Sequence, residues 1–232
     1  MTRHGRTLNL TTPIAFMLLA AAPVGAATAA ATPAPQATPR GAPDTAAAAQ
    51  AGTEAPFNVL GREDAPLAMV EFSDMQCPYC RVYALQTFPQ LKRAYIDTGK
   101  LHYAAVSFPL PMHAYAFPAA IAARCAGEQG KFWEFRDAVF ADQAQLASDP
   151  YDALAGKLGL DVTKFKTCRR DIRQDSYVRE DLAMARRDGI ASTPSFMLGR
   201  VVDGEFQAET FSGAKSFDEI SAKIDKLLAG GK

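Results

Sequence analysis

Residues 70–81 read VEFSDMQCPYCR, and this stretch decides how the rest of the chain is interpreted. The apolar run from Leu67 to Phe72 predicts a buried strand. A short turn follows, and Cys77-Pro78-Tyr79-Cys80 then opens a helix, because the first helical turn tolerates a proline that has no intrahelical N–H bond to lose. Cys77 is therefore expected at a helix N-terminus.

A sulfur at that position meets unpaired backbone N–H groups and the positive end of the helix dipole, and both favour thiolate over thiol. A free cysteine with a pKa of about 8.5 is mostly protonated at neutral pH. Each unit by which the pKa falls stabilises the thiolate by about 1.4 kcal/mol. Because the thiolate exists only in the reduced protein, a low pKa at Cys77 predicts a disulfide that is easily reduced, which is an oxidant of other thiols.

A Cys-X-X-Cys pair can also be half of a zinc site, which needs a second close pair of sulfur or imidazole ligands. The other cysteines, Cys125 and Cys168, are isolated in the sequence, and His4, His102 and His113 do not have zinc-knuckle spacing. Redox chemistry is the favoured interpretation, and we predict no metal and no cofactor.

The bulk composition describes one domain with a substantial core, since 48% of the 232 residues are hydrophobic. The formal net charge is zero. No basic stripe or block of like charge indicates nucleic-acid binding.

Residues 1–26 have the features of a secretory signal peptide. Basic residues at positions 3 to 6 precede the apolar run Ile14–Ala22, and Val24-Gly25-Ala26 offers small residues for cleavage. An uncleaved membrane anchor is the alternative, but Pro23 interrupts a stretch shorter than the roughly 20 residues that span a bilayer. We therefore expect a periplasmic or other extracytoplasmic protein, in an oxidising compartment where four cysteines allow two disulfides.

Residues 27–56 are mostly Ala, Thr, Pro and Gln, and we expect a disordered linker because so few large apolar residues cannot repay the entropy of folding. No heptad pattern there favours oligomerisation, so we expect a monomer. The folded domain is predicted over residues 57–232.

Within that domain, the pattern predicts a helix from Cys80 to about Thr98, kinked at Pro89, and a second strand over Leu101–Phe108. Together with the first strand these form a βαβ unit, so the two strands should be parallel. Residues 112–188 contain helical patterns alone, and the aromatic cluster Phe132, Trp133 and Phe135 is interpreted as a core face.

The C-terminal part begins with Thr193-Pro194-Ser195-Phe196, a turn that leads into an apolar strand. The segment Val201–Phe211, broken at Asp203-Gly204, predicts the second arm of a hairpin. An amphipathic helix over Ser216–Leu228, capped by Ser216 or Asp218, ends the chain.

The order of Glu71-Phe72-Ser73-Asp74, Cys77-Pro78-Tyr79-Cys80, a long helical stretch and Thr193-Pro194-Ser195-Phe196 resembles the DsbA-like branch of the thioredoxin superfamily. The resemblance covers Phe57–Leu228. It implies an α/β protein, a thioredoxin fold with a helical domain inserted between the second and third core strands at about residues 112–188.

The resemblance also implies site roles. Cys77 would be the exposed nucleophile that forms a mixed disulfide with substrate, and Cys80 the shielded thiol that resolves it. Pro78 and Tyr79 would tune the pair and border the bound substrate.

The loop proline of relatives is cis and lies against the active disulfide, which implies the same for Pro194; an ordinary trans turn is the alternative. Thr193 would offer backbone groups to an extended substrate peptide. Glu71 would be a buried acid that relays the proton of Cys80, although period-two alternation leaves open a solvent-facing position. His113 is interpreted as an exposed loop histidine in preference to a residue bordering the site.

Cys125 and Cys168 resemble the second cysteine pair of some family members. As a structural disulfide they would stabilise the fold by roughly 4 kcal/mol on the chain-entropy model. Two buried free thiols are the alternative.

Two features depart from the best-known oxidase of this family and bear on the redox role. Pro78-Tyr79, and Thr193 before Pro194, resemble the pattern of isomerase and reductase relatives. The leading hypothesis is a monomeric, exported thiol-disulfide oxidoreductase that forms disulfides in unfolded or reduced secreted proteins and is reoxidised by a DsbB-like membrane partner. The alternatives are an isomerase or reductase of the same fold, or a periplasmic Cu(I)-binding protein aided by Met75, Met112 or His113.

Overall fold

The computed structural model describes residues 58–230. The predicted signal peptide at 1–26 and the linker at 27–56 lie outside the described residues, as does Phe57. Within 58–230, no helix is both long enough and apolar enough to cross a bilayer.

The centre of the domain is a five-stranded mixed sheet. Its strands are β1 (Val59–Leu60), β2 (Leu67–Ser73), β3 (Leu101–Ser107), β4 (Ser195–Val202) and β5 (Glu205–Ser212), in the order β1-β3-β2-β4-β5. The predicted parallel pairing of β2 with β3 is confirmed, whereas β4 runs antiparallel to β2 and β5 antiparallel to β4. The sequence did not predict β1, which at two residues is too short to carry a period-two pattern.

The helix that carries the cysteines alternates between two geometries. It comprises α1 (Pro78–Val82), a π-helical turn (Tyr83–Thr87), α2 (Phe88–Leu91) and a second π-helical turn (Lys92–Ile96). Pro89 lies in the first turn of α2, directly after the first π-helical turn. A proline cannot donate an N–H bond to the preceding turn, which accounts for the wider geometry there.

The insertion lies between β3 and β4, and its regular secondary structure is helical. It contains α3 (Ala116–Gly127), α4 (Phe132–Ala141), a 3₁₀ helix (Gln143–Ser148), α5 (Tyr151–Lys157), α6 (Val162–Arg170) and α7 (Ile172–Arg187). Small alanines on α3 allow it to pack closely on α4, where Phe132 and Phe135 are buried, as the core interpretation predicted. A disulfide joins Cys125 of α3 to Cys168 of α6.

The hairpin of β4 and β5 and the last helix complete the domain. Asp203 and Gly204 both have positive φ, which is the backbone conformation of a two-residue hairpin turn. Helix α8 (Phe217–Ala229) begins with a capping box between Ser216 and Glu219. Its Ile220 and Ile224 pack in the core that also contains Leu67 and Met69 of β2.

Candidate active site

Cys77 is the residue that precedes α1, with extended backbone angles, and Pro78 occupies the first turn. Cys77 is 3% exposed and Cys80 is fully buried, while Tyr79 between them is 64% exposed. Both cysteines carry free thiols. Both thiols are therefore buried in this structure, and the expectation that Cys77 is exposed to solvent is wrong.

The thiol of Cys77 donates a hydrogen bond to the backbone carbonyl oxygen of Thr193 at 3.4 Å. A hydrogen bond with the Cys80 side chain lowers the pKa of Cys77 to about 5, with help from the Thr193 side chain and the backbone N–H groups of Cys80 and Tyr79, while burial opposes the shift. The Thr193 hydroxyl is buried and makes no hydrogen bond with a residue of 58–230, so it is free to donate to a thiolate.

The pKa of Cys80 shifts in the opposite direction. Burial raises its pKa well above the ordinary value, and the hydrogen bond and charge of Cys77 raise it further. The backbone N–H of Asp74 donates to the Cys80 sulfur at 3.4 Å but does not overcome these effects. The dithiol is thus asymmetric, with the charge favoured on Cys77 and the proton on Cys80.

The loop that contains Pro194 reaches the cysteines because of the sheet register. Ser195, the first residue of β4, pairs with Phe72 near the end of β2, immediately before the turn to Cys77. The Thr193–Pro194 peptide bond is cis. Thr193 is 8% exposed and lies between the Cys77 sulfur and the start of β4.

Glu71 is completely buried, on the same face of β2 as Leu67 and Met69. The hydroxyl of Tyr103 donates to its carboxylate at 2.6 Å, and Arg136 of α4 lies 3.3 Å away. The hydroxyl of Tyr83, one helical turn after Cys80, is 3.0 Å from that of Tyr103. The solvent-facing alternative for Glu71 is therefore wrong.

The interpretation of His113 as an exposed loop residue is also wrong. Its Nδ1 lies 2.7 Å from the carboxylate of Asp74, and its side chain is only 19% exposed. Asp74 is buried and accepts backbone N–H bonds from Gln76, Cys77 and Leu110. A fully buried carboxylate requires such partners, and the loop after β3 supplies His113 as one of them.

The insertion holds the active-site turn through several further hydrogen bonds. The side-chain amide of Gln143 donates to the carbonyls of Met75 and Cys77, at 2.8 and 3.0 Å. Arg81 donates to the carbonyl of Phe140 at 2.8 Å. The turn between β2 and α1 is therefore fixed from the helical side as well as from the sheet.

Sequence reasoning missed Asp74, Gln143 and Arg136 as parts of this site. For Arg136 a signal was present, because it lies four residues after Phe132 and four before Phe140, on the buried face of α4. A charged residue within an apolar helical stripe needs a buried partner. Gln143 binds backbone groups, and Asp74 binds backbone groups and the distant His113, contacts that leave no local pattern in side-chain types.

The three residues considered as helpers in copper binding differ in their surroundings, and Met75 lies in the same core cluster as Cys77 and Cys80. Met75 is buried, Met112 is 76% exposed and His113 is engaged by Asp74. Across residues 58–230, no group of three or more His, Cys, Asp or Glu side chains is arranged to hold a metal ion.

The sheet, the helical insertion and the buried cysteine pair define a thioredoxin-fold dithiol protein, and comparison with known proteins specifies the family. A family model described as Thioredoxin matches residues 54–226. The crystal structure of alpha-DsbA1 from Wolbachia pipientis superposes with a TM-score of 0.65 at 27% identity, covering 74% of this chain and 90% of that one. The chain belongs to the DsbA-like branch of the thioredoxin superfamily, a family of thiol-disulfide oxidoreductases.

Curated relatives differ in length. Disulfide bond formation protein D of Bacillus subtilis is 28% identical over 183 residues, which cover 74% of this chain and 77% of that protein. A protein named Na(+)/H(+) antiporter NhaA 3, from Salinispora tropica, is 32% identical over 169 residues. That match covers 72% of this chain but only 25% of the antiporter, so the chain spans about a quarter of that relative.

Proposed function

We propose that this protein is an exported thiol-disulfide oxidoreductase that forms disulfide bonds in extracytoplasmic proteins by exchange through Cys77 and Cys80. The observation that carries the proposal is the asymmetry of the dithiol, with the pKa of Cys77 lowered to about 5 and that of Cys80 raised. A low thiol pKa stabilises the reduced form relative to the disulfide and makes Cys77 a good leaving group. The oxidised pair is therefore suited to pass its disulfide to other thiols.

In the proposed reaction, a substrate thiolate attacks the sulfur of Cys77 in the oxidised protein. The bond between Cys77 and Cys80 breaks, a mixed disulfide forms, and Cys80 leaves and takes up a proton. A second substrate thiolate then attacks the substrate sulfur of the mixed disulfide. Cys77 is released as a thiolate, the substrate has lost two electrons, and the protein has gained them.

Reoxidation reverses the proton movement. The Cys77 thiolate attacks a disulfide of the redox partner, which forms a mixed disulfide and releases one partner thiolate. Cys80 gives up its proton, and its sulfur attacks Cys77, which releases the second partner thiolate and restores the Cys77–Cys80 disulfide. Glu71 is the proposed acceptor of that proton, since it is a buried carboxylate whose charge acts on Cys80. A membrane protein resembling DsbB is the proposed partner.

The surface around Cys77 is the proposed contact site for substrate. Pro78 and Tyr79 are exposed, and Thr193 borders the sulfur, so we assign these residues to binding of unfolded or reduced secreted proteins. Residues 1–26 act as a signal peptide and 27–56 as a linker to the domain at 57–232, which works as a monomer in the periplasm or an equivalent compartment.

The deciding experiment is the reduction potential of the Cys77–Cys80 pair, measured by equilibration with glutathione buffers. We expect a value near about −120 mV, that of strong oxidants, and oxidation of a reduced, unfolded test protein that is lost in Cys77→Ser. Tyr79 and Thr193 favour the second candidate, an isomerase or reductase. A potential of about −200 mV or below would select that candidate.

A further inference from the structure

Arg136 is the most deeply buried cation near the dithiol. Its side chain is 1% exposed, and its guanidinium lies over the ring of Phe88 at 4.5 Å and that of Trp133 at 5.0 Å. None of its three nitrogens makes a hydrogen bond with a described residue. Its close polar contact is the ion pair with Glu71, at 3.3 Å.

Arg136 reaches Glu71 from a different part of the fold. Glu71 belongs to β2 of the sheet, where its direct neighbour on β3 is Ala105, which offers no charge. Arg136 belongs to α4 of the insertion. The insertion therefore supplies the positive charge that lies next to this buried carboxylate.

We propose that Arg136 is a positioning residue for the resolving step, orienting the Glu71 carboxylate through their ion pair so that it accepts the proton of Cys80 when the Cys77–Cys80 disulfide forms. This inference rests on the proposed exchange chemistry and assigns to the insertion a part in it. Tyr103 fixes the same carboxylate through its 2.6 Å hydrogen bond, so two groups set its orientation.

Two effects of the Glu71 charge oppose each other. An anion near Cys80 raises the pKa of that thiol and so disfavours its thiolate, but this is the smallest of the resolved causes, after burial and the contacts with Cys77 and Asp74. Acceptance of the proton by a positioned base accelerates such steps by about 10² to 10⁴-fold. The gain from a nearby base therefore exceeds the loss, and removing Arg136 should slow the step.

The test follows the reaction of the reduced protein with one equivalent of the aromatic disulfide dithionitrobenzoate. Attack by Cys77 releases the first coloured thiolate and leaves a mixed disulfide. Attack by Cys80 on the Cys77 sulfur, with loss of its proton, releases the second thiolate. The first phase thus reports on Cys77 and the second on the resolving step.

In Arg136→Met we expect the first phase to stay within about twofold of wild type and the second to slow about tenfold or more. Arg136→Lys keeps the charge and should restore the second phase to within about threefold. Arg169→Met is the matched control, since Arg169 also lies in the insertion, pairs with carboxylates and stacks on Tyr151, and it should change neither phase.

The double variant Glu71→Gln/Arg136→Met removes both charges and avoids an uncompensated buried ion, so it remains informative if Arg136→Met fails to fold. It should resolve at the rate of Glu71→Gln alone, because Arg136 acts through Glu71. A second phase in Arg136→Met equal to wild type, or additive slowing in the double variant, would overturn the inference. Absence of a second phase in wild type would instead refute the proposed exchange chemistry.

Discussion

The sulfur of Cys77 donates to the carbonyl oxygen of Thr193 at 3.4 Å, across 116 residues of sequence. The contact joins the turn after β2 to the loop before β4, and the insertion lies between them in the chain. The chemistry of Cys77 therefore depends on a residue whose distance in sequence gives no hint of it.

The first prediction concerns the Thr193 hydroxyl. Thr193→Val replaces the hydroxyl with a methyl group of similar size, so the thiolate loses one hydrogen-bond donor while the backbone carbonyl remains. The pKa of Cys77, about 5 in wild type, should rise by about one unit. Titration of the ultraviolet thiolate absorbance measures it, and an unchanged midpoint would show that the hydroxyl plays no part.

A second prediction concerns how the stability of the reduced protein depends on pH. The pKa of Cys77 in the folded state, about 5, lies below its ordinary value of 9.0, so its stabilising contribution is present above pH 9 and is lost as the pH falls through 5. The oxidised protein has no such titration. The melting temperature of the reduced form minus that of the oxidised form should therefore decrease as the pH falls from 9 to 5.

The control is Cys77→Ser, which cannot form the disulfide and in which Cys80 alone titrates, so the pH dependence of its own melting temperature is measured. Because burial raises the pKa of Cys80, that thiol stays protonated in the folded protein, and it adds no slope at pH values well below its ordinary pKa of 9.0. A melting difference that grows as the pH falls would contradict the assigned direction.

The disulfide between Cys125 and Cys168 joins α3 to α6 across a sequence separation of 43 residues. Replacing both cysteines with serine should lower the free energy of unfolding by about 2–5 kcal/mol, because the unfolded chain regains the conformational freedom that the crosslink removes. Urea denaturation measures the loss. The reduction potential of Cys77–Cys80 should stay the same, and a shifted potential would mean that the two cysteine pairs are coupled.

The fourth prediction tests the start of α8. The side chain of Ser216 accepts from the backbone N–H of Glu219, so Ser216→Ala should cost about 1 kcal/mol of unfolding free energy. Ser221 lies within the same helix, where its hydroxyl bonds to the carbonyl of Asp218. Ser221→Ala should be close to neutral, and equal losses in the two variants would argue against a capping effect.

The local patterns of the sequence predicted much of the fold. Alternation and apolar runs located β2 and β3, Asp203-Gly204 located the hairpin turn, and Pro78 located the start of the cysteine helix. Each of these signals is carried by residues close together in the chain. The face of Glu71 was left open because it depends on which elements cover each side of the sheet.

The parts of the site that could not be predicted are contacts between distant elements. His113 was interpreted as exposed because no local pattern places it beside Asp74, 39 residues earlier. The role of Arg136 was not predicted from the aromatic pattern of α4, since its pairing with Glu71 requires α4 to lie against the sheet. Sequence spacing describes single elements well, whereas these charges are paired only by packing.

Trp133 is the single tryptophan of the chain, and it stacks on Phe88 with ring centroids 5.5 Å apart, beside Arg136 and Tyr103. Its fluorescence emission therefore reports on one region of the structure, where helix α4 packs on the cysteine helix and the sheet. The protein contains its own optical probe of that junction. Loosening of the insertion can thus be followed by intrinsic fluorescence, without any label and separately from unfolding of the remaining helices.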